Sequence, residues 1–193
     1  MKTNRPAQLA AITLAVMLPW SGTAKSQNEY KAKGGTRVVI LPIGKLVGHQ
    51  DAESKIEFYS PKNEMLCAVD YSSEDGEHGY GVVKAAWTPD QKYFVFSLTS
   101  SGGHQAWHAP TLFYVLRDNS IHSLDGYVDA GISKGAFTLK DPNIVLTEVW
   151  RAEQPTPVKF RLDSLSKQKS RNALRCADRK TIKAEPYSLR PDA

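Results

Sequence analysis

The segment Thr99 to Pro110 reads Thr-Ser-Ser-Gly-Gly-His-Gln-Ala-Trp-His-Ala-Pro and gathers two glycines, two histidines, a tryptophan and several hydroxyls between two apolar runs. Imidazole moves protons or ligates metals near neutral pH, and an indole flanked by imidazoles and hydroxyls can stack on a sugar or another ring while its neighbours bond the edges. Ser100, Ser101, His104, Trp107 and His108 are therefore the candidate ligand contacts. His104 and His108 stand four residues apart, which on one helical turn would put both rings on one face. A zinc site needs a third protein ligand, and none lies within the loop. His49, His78, His122, Glu74, Asp75 or Glu77 would have to be brought near by folding. The same loop also reads without a ligand: Gly102 and Gly103 bend the chain, Trp107 and Pro110 pack over the domain, and the histidines bond to carbonyls. No metal and no cofactor is expected.

A second polar loop, Ser73 to Gly79, holds Glu74, Asp75 and Glu77 around Gly76. An EF-hand would need oxygen ligands at its first, third and fifth positions before the glycine, and the residue five before Gly76 is Tyr71. The loop reads as a solvated turn. Nucleophilic motifs are missing: there is no Gly-x-Ser-x-Gly elbow, no Ser-x-x-Lys, no His-Glu-x-x-His and no phosphate-cradling glycine loop. Cys67 lies within an apolar run, where a packed thiol is a poor nucleophile.

These loops are strung between short runs rich in β-branched and aromatic residues, bounded by glycine, proline, asparagine and aspartate. Strands are expected at Val38 to Ile43, Lys55 to Tyr59, Met65 to Tyr71, Val82 to Trp87, Tyr93 to Leu98, Thr111 to Leu116, Gly135 to Thr138, Ile144 to Trp150 and Val158 to Leu162. Tyr93 to Leu98 is nearly continuous in apolar residues, so it should be a central strand covered on both faces. Helical signal is confined to Asp163 to Leu174, where a turn or two capped by Asp163 or Ser164 is expected. The fold class is all-β and antiparallel.

Lys84-Ala85-Ala86-Trp87-Thr88 returns fifty residues later as Lys134-Gly135-Ala136-Phe137-Thr138, and each copy leads through a turn into an apolar strand. The stretch from Ala86 through Trp87-Thr88-Pro89-Asp90-Gln91-Lys92 to Ser97 resembles the WD40-like repeat of TolB-type periplasmic β-propellers, whose core is a Trp-Ser-Pro-Asp-Gly-Lys turn entering a strand. Gln91 stands where that family has glycine. The resemblance implies an open, propeller-like stack of small sheets, since a chain of this length holds too few such units to close a ring. The alternative is a β-sandwich or barrel.

At the amino terminus, Lys2 and Arg5 precede an apolar stretch from Leu9 to Trp20, and Gly22-Thr23-Ala24 supplies small residues for cleavage. About twelve apolar residues at ~1.5 Å each span ~18 Å, short of a ~30 Å hydrocarbon core, so residues 1–24 read as a cleavable signal peptide and no stable membrane insertion is expected after cleavage. A flexible lead-in over 25–36, a β-domain over 37–165 and a basic tail over 166–193 follow. The exported compartment, periplasm or medium, permits Cys67 and Cys176 to form a disulfide that ties the tail to the core.

Losing Lys2 and Arg5 with the leader takes the net charge from +5 to +3, a mild balance, and an exported protein rarely meets nucleic acid, so no nucleic-acid partner is expected. The positive charge concentrates from Lys159 to Lys183, which could touch an anionic surface. The expected function is that of a non-catalytic binding or interaction module whose partner is a protein or an envelope component, with self-association through open sheet edges possible. The alternative is a hydrolase or metal-binding protein using His104 and His108 with a distant acid. Catalysis requires both histidines, Ser100 or Ser101 and a carboxylate in one concave pocket; binding requires an exposed aromatic patch.

Overall fold

The computed structural model describes residues 28–44, 52–103, 107–128, 130–133, 137–151, 153–168, 173–176 and 180–183. The leader at 1–24, His49 and His104 lie outside them.

Nine antiparallel strands form where β-branched and aromatic runs were expected, with ends shifted by a few residues. They are β2 (Arg37–Ile43), β3 (Glu53–Tyr59), β4 (Met65–Asp70), β5 (Tyr80–Trp87), β6 (Tyr93–Ser100), β7 (Thr111–Val115), β9 (Thr138–Lys140), β10 (Ile144–Arg151) and β11 (Gln154–Arg161). Four more are β1 (Asn28–Lys31), β8 (Ser120–Ser123), β12 (Leu174–Arg175) and β13 (Thr181–Lys183). They build three sheets: a first of order β1-β2-β3-β4-β13, a middle one of order β12-β8-β7-β6-β5, and a third of order β11-β10-β9. None of them closes into a barrel, so the fold is an open stack of small sheets.

The middle sheet is shared by two cores. Phe94, Phe96 and Leu98 of β6 point to one side, where they meet Val38, Ile56, Phe58 and Val69 of the first sheet. Tyr93 and Val95 point to the other side, against Val145, Val149 and Phe160 of the third. The period of two along a strand thus explains why this run carries almost no polar residue: both of its faces are buried.

The copies of the internal repeat occupy consecutive sheets. Each is an antiparallel hairpin, β5 with β6 and β9 with β10. Their turns bond to each other, Asp90 N donating to the Pro142 carbonyl at 3.2 Å and Asn143 Nδ2 to Asp90 Oδ2 at 2.9 Å. Gln91 has a φ of 57°, in the left-handed region that favours glycine.

Three expectations are corrected. The lead-in at 25–36 contains β1, which pairs with β2 from Asn28↔Ile40 to Lys31↔Arg37; the sheet ladder orders a polar segment that has little apolar content of its own. The helix spans only Leu162–Leu165, starts before Asp163 and has no side-chain cap; buried Leu162 pins it to the second core. The strand expected from Gly135 begins at Thr138, residues 134–136 being outside the described set. The tail crosses the open sides of two sheets: β12 pairs with β8, β13 runs parallel to β4, and between them Cys176 is disulfide-bonded to Cys67, with Cα atoms 5.0 Å apart.

Candidate binding site

Chain leaving β6 passes through the histidine-bearing loop before entering β7, and the structure divides the predicted contacts between two carboxylates. At the β6 end, Ser100 pairs with Tyr80 across β5, and the buried Ser101 turns its hydroxyl inward, 2.9 Å from Glu53 Oε1 and 3.2 Å from the Gly79 carbonyl. Glu53 also accepts from Ser73 N at 2.7 Å, Ser73 Oγ at 2.6 Å and Gly79 N at 2.6 Å. Burial alone would raise the Glu53 carboxyl above its ordinary value, but these donors together outweigh it and hold the group lower. The acidic loop is thereby folded onto Glu53. Asp75 is occupied with its own turn, accepting from Glu77 N at 3.0 Å and His78 N at 3.2 Å, as a solvated turn requires.

At the β7 end, His108 is buried and its Nε2 lies 2.6 Å from Asp125 Oδ1. Asp125 stands on a single 3-10 turn after β8 and also accepts from Ile132 N at 3.0 Å and Thr111 N at 3.1 Å. A carboxyl already receiving two backbone N–H groups faces His108 as an acceptor, so Nε2 is the donor. The ring is clamped on a second side. Trp107 stacks on it with centroids 5.3 Å apart and planes 24° from parallel, while half of Trp107 remains exposed.

Gly131 lies close under this stack. A Cβ there would fall 3.0 Å from Trp107 Cζ3 and 3.1 Å from His108 Cδ2, so any other residue would press both rings a few tenths of an ångström away. Residues 131–133 lie between the loop and β10, with bridges His108↔Ser133 and Ile132↔Val149. Trp150 N donates to the Gly131 carbonyl at 2.9 Å, and Trp150 is itself 41% exposed. Gly131 is therefore met by the ring of Trp107 and by the backbone of Trp150.

Ser101 and His108 thus belong to separate networks, the serine with Glu53 and the histidine with Asp125, so these predicted contacts do not form one serine–histidine–carboxylate group. His78 is bound to Asp75 in the acidic loop. His122 is buried beneath Phe113, ring centroids 5.1 Å apart, and its Nε2 lies 2.9 Å from Ser120 Oγ, which donates to Asp118 Oδ1 at 2.6 Å. Burial lowers the His122 pKa, partly opposed by Asp118, so this imidazole favours its neutral form. Among the described residues, no group of three or more His, Cys, Asp and Glu side chains is placed to hold a metal ion. No helix among them is long and apolar enough to cross a membrane.

Sequence reading passed over Asp125, Gly131 and Trp150. Asp125-Gly126 looks like any turn, and Gly131 carries no side chain to signal its contact. Trp150 belongs to an expected strand, and nothing local says whether it faces in or out. A depression of about 310 Å³ elsewhere, floored by Tyr93, Val115 and Leu116 and rimmed by Lys92 and Arg117, contains none of the predicted contacts. Comparison with protein-family models, with curated proteins and with solved structures gives no match.

Proposed function

We propose that this chain is an exported, non-catalytic binding module of the cell envelope, and that its contact surface centres on Trp107. One observation carries the reading: a half-exposed indole is stacked on a buried imidazole that Asp125 anchors. A platform fixed before the ligand arrives loses little side-chain entropy on binding, which is what a recognition surface requires. Trp107 offers its open face, Ser100 and His104 belong to the adjoining loop, and Ser101 serves as an anchor at the loop's base. Export is supported by the disulfide, which persists in oxidising compartments, and by the leader-like sequence at 1–24. The likeness to TolB-type propeller repeats is retained as part of the proposal, supported by two successive hairpins whose turns are bonded together.

The alternative, a hydrolase or metal-binding protein acting through the His104/His108 loop, draws on the His108–Asp125 pair alone. Binding of the purified exported chain to immobilised glycans and envelope fractions, together with turnover of a chromogenic ester, separates the two. The expected result is binding that Trp107→Ala abolishes while the far-ultraviolet spectrum is unchanged, with no turnover. Ester hydrolysis lost in His108→Ala, or binding indifferent to Trp107→Ala, overturns the reading.

A further inference from the structure

Beside Trp107 lies a sheet face that no other element covers among the described residues. In β10 and β11 the side chains alternate: Val145, Thr147 and Val149 are buried, while Glu148, Trp150, Pro155, Pro157, Lys159 and Arg161 are exposed, with Ile144 and Leu146 partly so. The register ranks this outer face in rows. Lys140, Ile144 and Arg161 form one row across the three strands, Thr138, Leu146 and Lys159 the next, then Glu148 with Pro157, and finally Trp150 with Pro155. At ~3.4 Å per residue, the tryptophan row lies ~20 Å from the Lys140/Arg161 row. An aromatic end thus adjoins Trp107 through Gly131, and a cationic end stands two to three rows away.

We propose that this outer face binds a linear acidic polysaccharide, running along the strands from the tryptophans to Lys140, Lys159 and Arg161. The inference rests on the platform reading above and names its ligand class. Along the paired rows of this face three exposed cations stand against one carboxylate, Glu148, which favours a polyanion, and Arg161 is paired at its end with Asp163 at 3.7 Å. The indoles select rings. Trp107 lies flat against His108 with one face open, a geometry for stacking a sugar ring and not for projecting into a bilayer.

An extended peptide adding to the β11 edge is disfavoured. Trp150 N and Ser133 N tie β10 to the 131–133 segment, so Trp150↔Pro155 and Glu148↔Pro157 are non-hydrogen-bonded pairs, and the two prolines sit where β11 would otherwise point N–H groups outward. With two of the outward N–H positions of β11 closed by proline, the face is better suited to a ligand that lies on it than to one that pairs with its edge.

The test measures binding of the full exported chain to polygalacturonate, to its methyl ester as the uncharged counterpart, and to phosphatidylglycerol vesicles. Preference for the acid polymer by at least tenfold is expected, weakening as salt rises. The triple variant Lys140→Gln, Lys159→Gln, Arg161→Gln, confined to exposed side chains and checked by its melting temperature, should lose that preference and keep any binding of the ester. Trp150→Ala should weaken both polymers. A wild-type chain with no preference for the acid polymer, a triple variant that retains it, or charge-dependent binding of the vesicles alone overturns the proposal. Trp107→Ala separates the two readings: if it leaves both polymers bound while the triple variant loses the preference for the acid polymer, the platform fails and the charged face stands.

Discussion

Glu53 shows how a single buried carboxylate organises two loops at once. It gathers Ser73, Gly79 and Ser101, and it can do so only because position 79 has no Cβ: one built there would lie 2.4 Å from the Glu53 carboxyl and 2.6 Å from the Tyr71 carbonyl. The Tyr71 atom is backbone and already accepts from Tyr80 N at 2.9 Å, so neither neighbour can retreat without breaking a bond. Gly79→Ala is expected to destabilise the protein by about 3 kcal/mol, read from urea unfolding followed by circular dichroism. Glu53 also sets a pH dependence. Its folded pKa is lower than in the unfolded chain, so the unfolded state binds more protons in acid. The stabilisation is therefore complete above the unfolded value near ~4.3 and is lost as pH falls through the folded one. Glu53→Gln, which leaves donors facing an amide, should cost about 2 kcal/mol at neutral pH and flatten the decline below about pH 4 when unfolding is measured across a pH series. Asp70, Asp90 and Asp118, likewise lowered, keep a residual acid limb in that variant.

Among the elements, β11 is the most exposed long strand, and its far edge has no partner among the described residues. Pro155 and Pro157 lie at alternate positions on that edge, where a missing N–H denies a second chain its hydrogen bonds. Self-association through open edges, expected as a possibility from the sequence, is opposed here. Pro155→Val with Pro157→Val should convert β11 into a pairing edge and give concentration-dependent oligomers by light scattering, while the parent chain's mass at the same concentrations stays constant. The element scale is also where sequence reading did best. Strands such as β6, β7 and β10 are dictated by local composition, because β-branched and aromatic side chains fill a pleated, buried surface. It did worst at β1, β8, β12 and β13, whose sequences are polar or short. Those strands exist because an open ladder beside them supplies hydrogen bonds, a property of the neighbour and not of the strand.

At the scale of the whole molecule, the middle sheet contributes to both cores, so the two are expected to melt together. Phe96 is buried in the core against the first sheet and Phe113 in the core against the third. Phe96→Ala and Phe113→Ala should each cost about 3–5 kcal/mol. Each should shift the whole unfolding curve, with tryptophan fluorescence and circular dichroism remaining superimposable. Two separated transitions in either variant would show that the sheets fold as independent layers. The disulfide acts at this scale as well, since Cys176 fastens the tail that lies along both the first and the middle sheet to Cys67 inside β4.

By itself, the order of residues determined the all-β class, the principal strands and the doubly covered position of Tyr93 to Leu98, and it allowed one intramolecular pairing of the two cysteines. Alternation and composition act over neighbours a few residues apart, and two cysteines admit one intramolecular pairing. What the histidine-bearing loop could do was decided only in three dimensions. His108 meets Asp125 across 17 positions, Ser101 meets Glu53 across 48, and Trp107 packs on Gly131, whose carbonyl is held by Trp150 N and which has no side chain to announce the contact. Each of those contacts depends on how three sheets stack, and the spacing of residues along one strand carries no record of that.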